Sequence, residues 1–365
     1  MRSFKKPGKR RKIVIITGLY AFLAFIISVS ILFYLNNFYF NDNIIPNTTM
    51  IPSATNGDTV SKTTETNITK KSKINAYTIS DIPKEVSNIS ISYDNQYCMY
   101  LYNGIIYIKD IQTNEIKSKI TDSSQIANAI LLDDRNMILY FTIDRKTALN
   151  SDKINIRTYN IDNNVSMFQQ SFSITATSNI KKVEYSSLTN LIVINTERNS
   201  NNQITDKVYY INIMKRVKLL ASEKIVDNMV LLHKSLSLYY QNNGGALFCN
   251  SKKIAGFENE KIKLLGCDVN DNIYVQSMTQ KNNFYVLNNN KIMNTIKLKD
   301  SDYTKILYNG SAIYVVYRNY VINLVNDTNK KITYDKNTSF MNIVDKRIYV
   351  RNNNEIKTEE ISGNS

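Results

Sequence analysis

Seven times between Ile89 and Tyr349 the chain repeats one line: an apolar strand, a short Asp/Asn/Ser turn, then a stronger strand of Tyr, Ile and Val. It runs as Ile89-Ser-Ile-Ser-Tyr-Asp-Asn-Gln-Tyr-Cys-Met-Tyr100 and again as Ile130-Leu-Leu-Asp-Asp-Arg-Asn-Met-Ile-Leu-Tyr140. Further copies span Val183 to Val193, Val230 to Leu238, Leu264 to Tyr274, Ile306 to Tyr314 and Met341 to Tyr349. They recur at roughly 35 to 55 residues, about 40 on average, a period that belongs to four-stranded propeller blades. Period-two alternation and β-branched or aromatic residues are strand vocabulary, and Asn, Asp and Gly punctuate it. Helical periodicity is nearly absent.

Two more strands follow most copies, for example Ile105–Lys109 and Ile116–Ile120, or Lys207–Ile213 and Val217–Leu220, or Asn283–Leu287 and Ile292–Leu298. The last copy lacks one: after Arg347–Val350 only Glu355–Ile361 remains. Ile74–Ser80 precedes the first copy with no partner of its own, so it is expected to complete the seventh blade and remove an open edge. The expected fold is therefore all-β: a seven-bladed β-propeller of four-stranded blades closed by an N-terminal strand, preceded by one transmembrane helix. Asn103-Gly104 and Asn309-Gly310 each follow a Tyr and precede an apolar run, as tight hairpin turns do. A pair of β-sandwich domains is the competing reading of the same strand spacing.

Residues 1–12 hold seven Lys or Arg, and an uncharged apolar run follows from Ile13 to Leu35. A helix over that run would be roughly 34 Å long, enough to span a bilayer core of about 30 Å. The run continues past the small residues Ser28-Val29-Ser30, so it reads as an uncleaved signal anchor, not a removable signal peptide. Basic residues before it, and none from Asn36 to Ser61, place residues 1–12 in the cytoplasm and the rest outside. Residues 36–73, rich in Thr, Asn and Ser, read as a disordered linker, and 74–365 as an extracytoplasmic propeller domain.

The formal charge is +15. About seven of these charges belong to the basic tail, and the exported part shows no clustered basic face of the kind nucleic acid requires. Wealth in Asn, Ile, Lys, Tyr and Phe without Trp is the mark of AT-rich codons, which points to a low-GC bacterium.

The candidates for chemistry are few. His233, the only histidine, falls in a turn and lacks the neighbours of a triad or zinc site. Asp268-Val-Asn-Asp-Asn272 resembles the opening of a calcium loop but lacks its Gly and Glu, and reads as an Asx turn. Asp133-Asp134 and Glu359-Glu360 are adjacent carboxylates, which a strand would send to opposite faces. Gly244-Gly245 precedes no helix and so is no phosphate cradle. Cys98, Cys249 and Cys267 read as buried free thiols, a Cys249–Cys267 bridge being the alternative. No catalytic, cofactor-binding or metal residue is assigned.

The repeats resemble the bacterial propellers grouped as TolB-like, YVTN-like or quinoprotein-like, especially membrane-anchored ones of Gram-positive bacteria, over Ile74 to Ser365. The chain has no Gly-His…Trp-Asp signature and no quinone-docking Trp. The resemblance thus implies a fold and a binding habit. The expected function is a non-catalytic binding or scaffold module for an envelope protein or anionic wall polymer, without nucleic acid. The alternative is a glycan hydrolase or lyase with carboxylates converging at the central funnel.

Overall fold

The computed structural model describes residues 28, 77–145, 151–212, 214–223, 225–318, 320–331, 339–344 and 347–360. The basic tail 1–12, the apolar run 13–35 and the linker 36–73 lie outside the described residues, apart from Ser28. Residues 74–76 of the expected first strand do too.

Among the described residues twenty-eight strands form seven antiparallel sheets of four, so each copy of the sequence repeat seeds one sheet. The first strand, β1 (Thr78–Ile79), is followed by blade 1, built from β2 (Ser87–Ile91), β3 (Tyr97–Tyr102), β4 (Ile105–Asp110) and β5 (Ile116–Ile120). Blade 2 holds β6 (Gln125–Leu131), β7 (Met137–Asp144), β8 (Ser151–Asn160) and β9 (Val165–Thr175). Blade 3 holds β10 (Asn179–Ser186), β11 (Leu191–Ser200), β12 (Gln203–Ile211) and β13 (Val217–Glu223). Blade 4 is smaller, with β14 (Val226–Leu231), β15 (Leu238–Asn242), β16 (Leu247–Cys249) and β17 (Lys252–Lys253). Blade 5 has β18 (Ile262–Cys267), β19 (Ile273–Ser277), β20 (Asn283–Asn288) and β21 (Lys291–Lys297). Blade 6 has β22 (Lys305–Tyr308), β23 (Ile313–Val316), β24 (Tyr320–Asn323) and β25 (Thr328–Lys331). Blade 7 contributes β26 (Ser339–Val344), β27 (Arg347–Asn352) and β28 (Glu355–Glu360).

Asn explains many of the turns. Asn tolerates the left-handed region better than most side chains, and a two-residue hairpin of the type I′ class needs positive φ at both positions. Asn103-Gly104, Asn201-Asn202, Asn250-Ser251 and Asn289-Asn290 all satisfy that requirement, between β3 and β4, β11 and β12, β16 and β17, and β20 and β21. Asn309-Gly310 differs from expectation. It opens a four-residue loop with Ser311 and Ala312, whose amides both donate to Asn309 Oδ1, at 3.1 and 2.9 Å.

The second strand of each blade is buried on both faces, which is why its repeat is the most apolar. In β7, Ile138 and Tyr140 pack toward blade 1 while Leu139, Phe141 and Ile143 pack toward blade 3. Seven apolar clusters result, one per junction between consecutive blades. The junction of blades 7 and 1 gathers Ile79, Ile82, Ile91, Cys98, Tyr100, Ile111, Tyr349 and Ile356. Each sheet is thus one face of two cores, the arrangement of a seven-bladed β-propeller; two face-to-face sheets are not formed.

β1 lies beside β28, with Thr78 opposite Lys357 and Ile79 opposite Ile356. Tyr77 N donates to Thr358 Oγ1 at 2.7 Å, and Ile82 N to Asn354 O at 2.9 Å. The same segment is held to blade 1: Lys109 Nζ donates to Ser80 O at 2.7 Å and Ser80 N to Asn114 Oδ1 at 3.0 Å. Tyr349 Oη reaches Asn95 Oδ1 across this junction at 2.5 Å.

Candidate functional site

The first strand of each blade is the innermost. β2, β6, β10, β14, β18 and β22 each contact the first strand before or after them in the ring, and β2 also contacts β26. The axis is therefore built from these seven short segments.

Six of the seven carry an irregularity of register at the same place, between Ser87 and Ser90, Ile126 and Asn128, Ile180 and Lys182, Val226 and Asn228, Leu264 and Gly266, and Phe340 and Asn342. A bulge inserts an extra residue and re-aims the next side chain. Here the residue after the bulge is Asn in blades 2, 4 and 7, Lys in blade 3 and Gly in blade 5.

These side chains stitch the ring. Asn88 Nδ2 donates to Asn128 Oδ1 at 3.2 Å, from blade 1 to blade 2. Lys182 Nζ donates to Asn228 Oδ1 at 2.6 Å and to Met229 O at 2.8 Å, from blade 3 to blade 4. Asn228 Nδ2 passes the chain on to Leu264 O of blade 5 at 2.8 Å. Lys182 also pairs with Glu184 at 2.8 Å, which neutralises its charge locally. The result is a polar, amide-rich layer with one ion pair, its named amides bonded from blade to blade.

Blade 5 has Gly266 where blades 2, 4 and 7 have Asn, and Tyr308 of blade 6 fills the space left. Its hydroxyl lies 3.3 Å from Cys267 Sγ and donates to Gly310 O at 3.0 Å. Burial pushes the Cys267 thiol up to about 12, with the negative charge of Glu184 among the lesser causes. Cys98 is likewise pushed up to about 12 by burial, and Cys249 is raised for the same reason. All three cysteines are free and buried, so the Cys249–Cys267 bridge is not formed. Protonated, buried thiols are weak nucleophiles.

The buried Asp carboxylates among the described residues do not meet one another, whereas partly exposed Glu197 shares Lys181 with Asp206, at 3.1 and 2.9 Å. Among the described residues three Asp are nearly fully buried, Asp152, Asp206 and Asp268, and each belongs to a different blade. Asp152 takes Arg145 Nη1 and Thr177 N, both at 2.9 Å. Asp206 takes Lys181 Nζ at 2.9 Å and Val226 N at 2.7 Å. Asp268 holds its own turn through Asn270 N at 2.8 Å and Asn272 N at 3.0 Å. The Asp268–Asn272 segment is thus an Asx turn in fact. No group of three or more His, Cys, Asp or Glu able to hold a metal ion occurs among the described residues.

Asp271 does something the sequence did not suggest. Its carboxylate reaches into blade 4 and accepts the amides of His233 at 2.7 Å, Lys234 at 3.1 Å and Ser235 at 3.0 Å. His233 therefore sits in the β14–β15 turn as part of a backbone cap; its Nε2 has no hydrogen-bond partner among the described residues. Asp133 and Asp134 lie in the β6–β7 turn, where Asp134 pairs with exposed Arg135 at 2.5 Å. Glu359 and Glu360 lie in β28, opposite Ile348 and Arg347, with side chains outside the described residues. Gly245 makes the β15–β16 turn at φ +78°.

Lys182 and Glu184 are the site residues sequence reasoning missed. The third repeat copy begins at Val183, and the bulge between Ile180 and Lys182 reverses which face the following side chains take. The signal available was a Lys-x-Glu pair two residues apart in a first strand, Asn179–Ser186, that is unusually polar for its place in the blade.

No family model and no curated protein matches the sequence. Among solved structures the chain is similar to the AfRom2 CNH domain, at 12% identity over 80% of this chain and 100% of that one, with a TM-score of 0.48. It is similar to a chain of the Mitotic Checkpoint Complex at 10% identity, covering 87% of this chain and 100% of that one, TM-score 0.49. The WD40 domain of SCAP from fission yeast gives 9% identity, 75% and 81% coverage, and a TM-score of 0.46. The fold assignment rests on the seven sheets and their order.

Proposed function

We propose that this chain is a single-pass membrane protein whose propeller is extracytoplasmic and serves as a non-catalytic binding or scaffold module. Residues 13–35 are its signal anchor, 1–12 its cytoplasmic tail and 36–73 a disordered tether. Its partner is an envelope protein or an anionic wall polymer, not nucleic acid, and its relatives in kind are the membrane-anchored TolB-like, YVTN-like and quinoprotein-like propellers of Gram-positive bacteria. In this reading β1 is the segment that closes the ring, at the seam between blades 7 and 1. The bonds from Tyr77 and Ile82 to blade 7 and from Ser80 to blade 1 support it.

One observation carries the non-catalytic reading: the axial layer is made of Asn, Lys182 and Glu184, while each buried Asp is held in a separate blade by structural partners. An amide-rich funnel presents donors and acceptors, and its ionisable pair, Lys182 and Glu184, is engaged with itself at 2.8 Å. The test is cross-linking of the full-length chain in intact cells, followed by the same experiment with Lys182→Ala. A cross-linked envelope component that is lost in the variant supports the reading. Turnover of a purified wall glycan by the isolated chain overturns it. The topology is checked by Ser61→Cys: labelling of intact cells with a membrane-impermeant maleimide is expected, since the native thiols are buried.

A further inference from the structure

In an antiparallel blade the turn joining strands one and two and the turn joining three and four lie on the same face of the ring. Such turns are built mostly from Gly, Asn, Asp and Ser. Yet the first-to-second-strand turns of three consecutive blades each carry a well-exposed apolar side chain. Leu188 in blade 3 is 70% exposed, Leu236 in blade 4 58% and Val269 in blade 5 53%. A lone exposed leucine needs no explanation, but the same place filled in blade after blade makes a row.

Hydrogen bonds hold these turns to one another. Ser186 Oγ, at the end of β10, donates to His233 O at 3.0 Å, from blade 3 to blade 4. Asp271, two residues after Val269, accepts the amide of Ser235, the neighbour of Leu236, at 3.0 Å. Further round the ring, Asn136 Nδ2 of blade 2 donates to Asp94 Oδ2 of blade 1 at 2.8 Å. A partner meeting this surface leaves it little ordering still to do.

Charge divides the face. In a chain of net charge +15, the four turns of blades 1 and 2 on this side (92–96, 111–115, 132–136 and 161–164) hold five carboxylates and one base, Arg135. Arg135 is paired with Asp134 at 2.5 Å. Asp133 and Asp162 are exposed and have no ion-pair partner among the described residues. The Tyr93 hydroxyl, in the same face of blade 1, is pushed up by burial first and then by the negative charges of Asp94, Asp162 and Asp134. Tyr185 of blade 3 is held up to about 12 chiefly by burial, and among the lesser causes Asp134 and Asp133 raise it while Arg135 lowers it. The carboxylates therefore reach the edge of the apolar row. The row's own turns hold one lysine, Lys234, which donates to Asn270 Oδ1 at 3.1 Å.

We infer that this turn face docks a cationic, partly apolar segment of a partner protein, its apolar side chains on Leu188, Leu236 and Val269 and its Lys or Arg against the carboxylates of blades 1 and 2. The inference deepens the binding-module reading and rests on it, adding the surface and the chemistry of the partner. Charge complementarity selects that occupant: the chain as a whole repels a cation, so the acidic arc sets where one docks and in which orientation. An anionic polymer or lipid surface laid on this face would meet Asp133, Asp134 and Asp162 as like charges.

The full-length chain in neutral detergent is titrated, by fluorescence anisotropy, with a labelled peptide of repeated Lys-Leu-Ser, against a blank of empty micelles. Saturable binding that weakens with salt is expected, and none with the Glu-Leu-Ser counterpart. Asp133→Lys combined with Asp162→Lys should weaken binding roughly tenfold or more, and so should Leu188→Ser combined with Leu236→Ser. Met278→Ser, at a site 45% exposed in the β19–β20 turn on the opposite face, should change nothing. The substituted side chains are all exposed, so thermal midpoints should match the parent's. No binding by the parent overturns the proposal, as does undiminished binding by either double variant or equal binding of Glu-Leu-Ser. A polarity-sensitive label on Leu188→Cys should report water when the chain sits in phosphatidylglycerol nanodiscs without peptide; an apolar signal there assigns the face to the membrane and overturns the proposal too. A Lys182-dependent cross-link in a chain that ignores the peptide would end this proposal alone and leave the binding-module reading standing.

Discussion

Tyr308 occupies the volume that a side chain at Gly266 would need: a Cβ built there would stand 2.6 Å from Cγ of the ring and 2.7 Å from Cε2. Two blades thus meet through the absence of one carbon. Gly266→Ala is expected to lower stability by about 1–3 kcal/mol, because a partly buried ring must shift and no flexible end is available. Tyr308→Leu in the same chain should return part of that loss. A double-mutant cycle by urea unfolding measures the coupling, and additive effects would contradict direct contact.

Asp271 links blades 4 and 5 by accepting three consecutive amides. Asp271→Ala strands those donors in a half-buried turn and should cost about 1–3 kcal/mol. Asp271→Asn keeps one acceptor oxygen and should cost less. Thermal unfolding of the two variants gives the order.

Both Cys98 and Cys267 are held protonated up to about 12 by burial, above the ordinary value of 9.0. In the unfolded chain the thiols ionise first as pH rises, so unfolding releases protons above about pH 9. Each thiol's contribution is therefore intact below that pH and is lost as pH climbs toward 12, at up to about 1.36 kcal/mol per pH unit per group. The urea midpoint should hold steady from pH 6 to 8 and fall above 9. Alkylation of the native chain at pH 8 should be slow, and rapid once urea unfolds it.

Ile79 is fully buried at the seam of blades 7 and 1. Ile79→Asp buries an unpaired charge there and removes apolar contact with two blades at once. Loss of several kcal/mol is expected. Full stability of the variant in chemical denaturation would show that the seam does not need this strand.

Much of this architecture was legible beforehand because the second strand of each blade is buried on two sides. Runs such as Met137-Ile-Leu-Tyr-Phe cannot be satisfied by one core, and their recurrence counted the blades. Loops were less legible: Asn309-Gly310 looks like Asn103-Gly104, yet only the second is a two-residue hairpin, since Asn309 bends back to cap two following amides. The axial layer was hidden for a sharper reason. Strand parity tells which side chains share a face, and the bulges before Asn128, Lys182 and Asn228 break parity at the positions that line the axis. Asp271 escaped because its role is played out 38 residues away, in another blade.

Every apolar cluster in this ring is owned jointly by two neighbours. No blade has a private interior to retreat to, so taking one away exposes the flanks of two others. Cleavage by a protease should then give either the intact ring or small peptides, with no surviving four- or five-blade fragment. For the same reason, lineages that gain or lose a single blade must repair two seams in one step.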